Sequence, residues 1–367
     1  MLKNRCNKAL MPLNLESNDQ TLFNQHQNTV SIPPKIKKLR NVFVNQQGLV
    51  LKNGLLVKGC AFNLFGKDDN TFYFSFWKKT AEQYFVCKYG SSLKSIYLND
   101  ESSYLLIHSA WFNYSFWINS FIIRLISYLK QNIKEDVYLI YPEEWNSIAY
   151  VKDSLDFFPI KKKLIPKDHH LFVKNLIMPE TRPWTSAFYK NNIRDVYDWF
   201  KFLDSTNSSK KRLYLTRKKR NVRCVQNEDE LIPILEKFGF QIVSFEDVSF
   251  IDQIRLMYQT EIFISIHGAG FSNIMFMPKH TVVMELINFE YATIEYKFPF
   301  WKLSNALDIH YFYQFGHVLD NENTQLIKGN NYQINQNYLV NQNIFIDLKL
   351  FEENICKMID IIQTTVN

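Results

Sequence analysis

Between Leu213 and Tyr313, short apolar runs alternate with amphipathic segments, and this alternation leaves few folds open. Leu213-Tyr-Leu-Thr216, Phe240-Gln-Ile-Val-Ser-Phe245, Ile262-Phe-Ile-Ser-Ile266, Thr281-Val-Val-Met-Glu-Leu286 and Ile309 to Tyr313 read as strands. Asn227, with Glu230 three residues on, opens a helix that ends at Gly239, and Ser249 with Asp252 opens another. Phe271 to Phe276 is a short segment between two strands, and Trp301 to Leu307 reads as a further helix. Strands this apolar, joined through helices, need crossover connections and so form a parallel sheet covered on both faces. This half of the chain is expected to be Rossmann-like.

The rest of the chain is less regular. Residues 1–40 read as a loose polar leader containing Pro33-Pro34. Strands and turns follow from Val42 to Phe65 around Gly48, Gly54 and Gly59. Tyr104 to His108 and Val137 to Tyr141 read as buried strands, with helical spacing from Phe112 to Leu129 between them. These begin an α/β domain over residues 41–205, which a helix at Lys190 to Leu203 and a linker at 205–209 close. The Rossmann-like domain is expected over 206–318. Residues 319–367 form a C-terminal segment with an Asn/Gln-rich stretch, a run at Asn343 to Asp347 and a final helix from Phe351 to Ile362.

Composition excludes several classes. With 46% hydrophobic and 22% charged residues among 367, this is not a disordered chain. The five cysteines, Cys6, Cys60, Cys87, Cys224 and Cys356, contain no Cys-x-x-Cys pair, so neither a zinc site nor a disulfide framework is expected, and a reducing compartment fits. The first residues lack the apolar core of a signal peptide, and Phe116 to Leu129 is too short to span a bilayer. A cytoplasmic location follows as the expectation.

The net charge of +7 is concentrated. From Lys210 to Arg223 there are eight basic residues and no acid. Such a run attracts nucleic acid, anionic membrane or a phosphorylated ligand, or is simply a solvated loop.

Ligands of an open parallel sheet bind beyond the carboxyl ends of its strands. His267-Gly268-Ala269-Gly270 follows one such strand. Glycines there let the backbone approach a phosphate, and a helix N-terminus offers free N–H groups; a tight turn that needs glycine is the alternative. Glu285 is placed at the end of the next strand, where a carboxylate either accepts from ribose hydroxyls or is an ordinary solvated acid. Thr216-Arg217 ends the first strand of this half, so Arg217 reaches the same rim and could neutralise a diphosphate. His108, ending an N-terminal strand, is the candidate general base, against the alternative of a buried or surface histidine.

LYLTRKKR, and then VQNEDELIPILEKFGFQIVSFEDVSFIDQIRLMYQTEIFISIHGAGFSNIMFMPKHTVVMEL, resemble glycosyltransferase family 61 in the order and spacing of their motifs. That family includes bacterial capsular-polysaccharide enzymes and eukaryotic protein O-glycosyltransferases. A weaker echo lies at Trp111 to Trp117, where the family usually carries a histidine and this chain has Phe116.

The resemblance implies a GT-B architecture: two Rossmann-like domains facing across a cleft, acceptor side N-terminal, with the C-terminal helix returning toward the N-terminal domain. It implies an inverting, metal-independent transferase in capsule or other surface polysaccharide synthesis, with a nucleotide sugar, expected to be a UDP-sugar, as co-substrate and no cofactor. Donor binding falls to Thr216, Arg217, His267, Gly268, Ala269, Gly270, Asn273 and Glu285. A glycan or lipid-linked glycan is the acceptor, with peripheral contact to an anionic membrane and no nucleic acid. Two alternatives stand beside it: a degenerate transferase serving as a scaffold, and a nucleic-acid binder using the 210–223 run.

Overall fold

A computed structural model describes residues 5–31, 35–60, 70–89, 94–131, 136–180, 190–204, 210–220, 222–294, 298–318 and 339–366. The chain divides into two compact units, one of residues 31–199 and one of residues 1–30 with 200–367.

Near the N-terminus, β1 (Arg5–Lys8) pairs with β2 (Asn28–Ser31). The 31–199 unit is built on β3 (Ile36–Val44), β4 (Val50–Lys52), β5 (Leu55–Leu56), β6 (Lys94–Leu98), β7 (Ser103–Leu106), β8 (Val137–Pro142), β9 (Lys161–Ile165) and β10 (His169–Pro179). They form one mixed sheet in the order β5-β4-β3-β10-β7-β8-β9, with β6 also on β10. The run β10-β7-β8-β9 is parallel and the β10-β3-β4-β5 run antiparallel. The expected helix after β7 is present from Tyr114 to Leu129, with a π-helical stretch at Trp117–Ile122. A helix at Asn70–Tyr89 was not legible in the sequence.

The second unit carries the alternating segment as β11 (Lys211–Leu215), β12 (Phe240–Val243), β13 (Thr260–Ile266), β14 (Val282–Asn288) and β15 (His310–Gly316). All four pairings in the order β12-β11-β13-β14-β15 are parallel, as the alternation requires. The α/β class is thereby observed. Its core joins Ile262, Ile264 and Leu286 to Leu231 and Leu235 of the Glu228–Lys237 helix.

Two expectations are corrected here. The C-terminal helix, Leu348–Val366, buries Phe351, Ile355 and Met358 at helical spacing in this same core, against β13, β14 and the Glu228–Lys237 helix, rather than returning to the N-terminal domain. The leader is not loose over its described residues either. Leu13 N–H donates to the Tyr311 carbonyl (3.0 Å), Asn14 bonds both backbone groups of Tyr313, and Phe23 is fully buried among Phe298, Trp301 and Tyr313. The segment therefore covers the open edge of β15.

Asn227 also differs from expectation. Its side chain caps nothing but exchanges two hydrogen bonds with the backbone of Ile346 (2.9 and 3.0 Å), which pins the C-terminal segment to the sheet. Ser249 caps its helix as expected, accepting from Asp252 N–H at 3.2 Å.

Candidate functional site

In the second unit β12 lies on one side of β11 and β13 on the other, so the strand order diverges between β11 and β13. Such a switch point opens a crevice beyond the carboxyl ends. Leu215 and Ser265 are register partners there, and the residues next along each strand lead to Thr216-Arg217 and His267-Gly268. Topology alone thus brings two of the sequence-predicted segments together.

Gly268 is extended (φ 169°, ψ 177°), a conformation open to any residue. Glycine is required by space: a Cβ would run into Nη1 of Arg217, and Nη1 of Arg223 lies 3.9 Å from the same point. Two guanidinium groups therefore converge on the backbone that starts the Ala269–Phe276 3-10 helix. Nε of Arg217 is buried and makes no hydrogen bond among the described residues. Burial, and next the charge of Arg220, hold the Arg217 pKa below its ordinary value.

Its neighbours in the basic run behave differently. Lys218 pairs with Asp229 (2.7 Å), Lys219 with Asp247 (2.5 Å) and Arg220 with Glu246 (2.6 Å). Arg212 pairs with Glu261. Arg212, Lys218, Lys219 and Arg220, four of the eight basic residues of the run, thus each face an acidic partner. Arg223 holds a left-handed backbone (φ 55°) and is anchored to Asn341 through its N–H and Nη2. Its place at the rim was missed, because nothing in the sequence separates it from the run.

Glu285 requires a correction of place. Strand β14 continues to Asn288, so Glu285 lies inside it, completely buried. Its Oε1 meets Nδ1 of His267 at 2.7 Å, and its Oε2 accepts from the Tyr311 hydroxyl at 2.6 Å. Both oxygens are engaged inside the protein and no part of Glu285 is exposed, so the contact with ribose hydroxyls expected at a strand end has no surface to form on in this structure. His267 follows β13 at the carboxyl edge, its side chain 11% exposed, with the rings of Phe300 and Tyr291 at 5.5 and 6.0 Å. Burial lowers the His267 pKa; Glu285 opposes that shift, and Arg223 and Arg217 add to it.

Three other sequence-predicted residues shape the loops. Thr216 Oγ1 donates to Glu228 and accepts from Lys218 N–H, closing the turn after β11. Gly270 leaves room for Leu215, whose Cδ2 a Cβ would meet at 2.7 Å. Asn273 is wholly buried; its Nδ2 donates to the Gly270 carbonyl (3.1 Å) and to Gln253 Oε1 (3.4 Å), and Gln253 in turn holds the carbonyls of Phe245 and Val248. These contacts fix the His-Gly-Ala-Gly turn on the Phe250–Tyr258 helix. The expected donor contact of Asn273 is therefore replaced by a buried structural one. Ala269, expected at the donor, opens the 3-10 helix, two residues before the Phe271 at which that segment was read to begin.

His108, the candidate base, lies in the other unit and is fully buried. Its Nε2 lies 3.2 Å from the Gln46 carbonyl, and Gly48 packs directly on its ring. Burial pushes its pKa down to about 3. A histidine this deeply buried presents no ring nitrogen to a substrate hydroxyl in this structure, which speaks against it as the general base.

A groove of about 510 Å³ opens near the basic loop, lined by Lys218, Cys224, Asn227, Glu230, Asn343 and Phe345. Arg217, Gly268 and His267 are not among its walls.

Fold and site together define an α/β protein whose parallel sheet presents two arginines, a glycine-rich turn and a histidine at its switch point. Residues 114–284, just under half of the chain, match the family model Glycosyltransferase 61, so the resemblance read from the sequence holds over that region. Curated relatives are the EGF domain-specific O-linked N-acetylglucosamine transferases of Drosophila melanogaster (40% identical over 80 residues, 21% of this chain and 15% of that protein) and Mus musculus (34% over 86 residues, 22% and 16%). The Gallus gallus protein of the same name is 30% identical over 84 residues, 22% of this chain and 16% of its own. The matched stretch thus spans only about one-sixth of these relatives.

Proposed function

We propose that the chain is a glycosyltransferase that moves a sugar from a nucleotide-sugar donor to a hydroxyl, with the donor at the β11/β13 switch point. The observation that carries this is Arg217 seated against Gly268 without an ion-pair partner among the described residues, inside the segment similar to glycosyltransferase 61.

In the reaction, the acceptor oxygen bonds to the anomeric carbon as the bond to the diphosphate oxygen breaks. The acceptor's proton passes to a base, and the leaving nucleoside diphosphate keeps the electron pair. Arg217, Arg223 and the N–H groups opening the Ala269–Phe276 helix meet the negative charge as it grows. Because the protein supplies this compensation, the transfer is metal-independent in our reading, and turnover persists in excess EDTA. Complete loss of turnover in EDTA, restored by one divalent metal, would exclude that mechanism. Inversion, the GT-B arrangement of two domains across a cleft and a UDP-sugar donor belong to the same proposal.

Capsule or other surface-polysaccharide synthesis, with a glycan or lipid-linked acceptor, is the reading taken from the sequence resemblance. The names of the curated relatives favour a second one, transfer of N-acetylglucosamine to a protein hydroxyl. A cytoplasmic or peripheral membrane location is likewise proposed; none of the described helices is long and apolar enough to cross a membrane. Cys60, Cys87, Cys224 and Cys356 are free thiols, which fits a reducing compartment.

The deciding experiment is a thermal-shift screen over sugar nucleotides, followed by nucleotide release from the one that stabilises the protein. Slow release from one sugar nucleotide is expected. No stabilisation and no release by any of them would leave a scaffold.

A further inference from the structure

We infer that Glu285 and Tyr311 are positioning residues that hold His267 with its proton on Nδ1, so that Nε2 meets the substrate as a hydrogen-bond acceptor and the group it recognises is a hydroxyl. This deepens the donor-site reading and rests on it for the identity of the substrate.

A carboxylate has lone pairs and no proton to give. Oε2 of Glu285 receives the Tyr311 hydroxyl at 2.6 Å, and the carboxylate itself is fully buried. Burial and the neighbouring carboxylate raise the Tyr311 pKa well above its ordinary value, so it remains a phenol and donates. Oε1 then needs a donor from His267, and the nitrogen that faces it at 2.7 Å is Nδ1. A neutral imidazole with Nδ1–H carries its lone pair on Nε2.

The rim opposes a second proton on the ring. Arg217 and Arg223 stand close enough to lower the His267 pKa, and burial acts in the same direction. A phosphate oxygen needs a donor, which this form of the ring does not offer at Nε2. A hydroxyl offers its proton and fits. The site thus divides its labour: arginines and backbone N–H groups meet the diphosphate, and His267 meets a hydroxyl. The frame holding this tautomer is built from paired strands. Tyr311 lies on β15, register-paired to Val283 of β14, and its carbonyl is tied from the far side by Leu13 of the leader.

The hydroxyl has two possible sources, the donor sugar and the acceptor. Nitrogen-15 NMR of the full chain labelled in histidine reads the tautomer directly, with the His267 signals assigned by their loss in His267→Asn. Near neutral pH, a protonated Nδ1 and a bare Nε2 are expected. Tyr311→Phe and Glu285→Gln should each shift the population toward Nε2–H. An Nε2–H ring or an imidazolium in the wild type overturns the inference, as does a spectrum that neither substitution changes.

Calorimetry with UDP and UDP-N-acetylglucosamine then separates the sources. His267→Asn keeps a donor toward Glu285 and removes the distal nitrogen, so UDP binding should stay within about twofold of wild type. If the sugar supplies the hydroxyl, UDP-N-acetylglucosamine binds about 10- to 100-fold more weakly. If the acceptor supplies it, sugar-nucleotide binding is kept and hydrolysis by water, standing in for the acceptor, slows by a similar factor. Loss of UDP binding as large as that of Arg217→Ala would make His267 a phosphate ligand and sink the proposal. A wild-type protein that binds neither probe would instead defeat the donor reading, and the nitrogen spectra would still decide the tautomer.

Discussion

Two strands of this molecule end almost alike: Leu-Leu-Ile107-His108-Ser-Ala in the first unit and Ile-Ser-Ile266-His267-Gly-Ala in the second. Both histidines follow a buried parallel strand, yet their chemistry diverges. His108 is sealed under Gly48 with the Gln46 carbonyl near its Nε2, and burial lowers its basicity. His267 keeps part of its ring exposed, and a buried carboxylate holds its inner nitrogen. A strand-end histidine is therefore not a functional signal by itself. What sets the two apart is the buried carboxylate that holds Nδ1 of His267 at the carboxyl edge of its sheet.

The comparison breaks most sharply at Arg217. Arg217→Ala should lower turnover about 10²- to 10³-fold, the scale of removing one donor aimed at developing charge, with a smaller loss of donor affinity. Gly268→Ala should produce a similar fall although it removes no charge. The added Cβ displaces the end of a flexible guanidinium, so melting temperature should barely move while turnover drops. If Gly268→Ala were fully active, Arg217 would not need its present seat.

His108 should reveal itself in stability, not in turnover. Its folded pKa is depressed from 6.5 to about 3, so below pH 6.5 the unfolded chain binds a proton that the folded chain refuses. Stability is therefore complete above pH 6.5 and is lost as pH falls toward 3. Between these limits the wild type should lose about 1.4 kcal/mol per pH unit more than His108→Gln. Urea melts of both proteins across that range measure the difference. An equal slope in the two would mean that His108 is protonated in the fold.

These cases show what the sequence could carry. The parallel sheet was legible because its strands are continuous apolar runs and Ser249 and Gly239 punctuate the helices. The rim was legible because topology puts strand ends together, and Arg217 and His267 end adjacent strands. Glu285 was misplaced because the strand was ended at Leu286, whereas it runs two residues further; its partner Tyr311 appears only once the register of β14 and β15 is known. The leader's contacts join residues nearly 300 apart, as between Leu10 and Asn305, beyond any local pattern. The Asn70–Tyr89 helix was hidden because its apolar residues are spread around the helix axis and mark out no single face.

The smallest expected effect belongs to the basic residues beside Arg217. Lys218, Lys219 and Arg220 form the 3-10 turn that follows it, and each is largely exposed with an acidic partner. Exposed pairs of this kind exchange weak Coulomb attraction for side-chain entropy and are screened by salt. Replacing all three with alanine should leave turnover within about twofold of wild type. Arg217, one residue earlier, should remain indispensable in the same background. Donor affinity in the triple variant should also keep nearly the salt dependence of the wild type, because the charges removed were already compensated. A large loss of activity would mean that the run acts as one electrostatic surface. A normal triple variant beside a crippled Arg217→Ala would locate the function in a single half-buried guanidinium and its glycine.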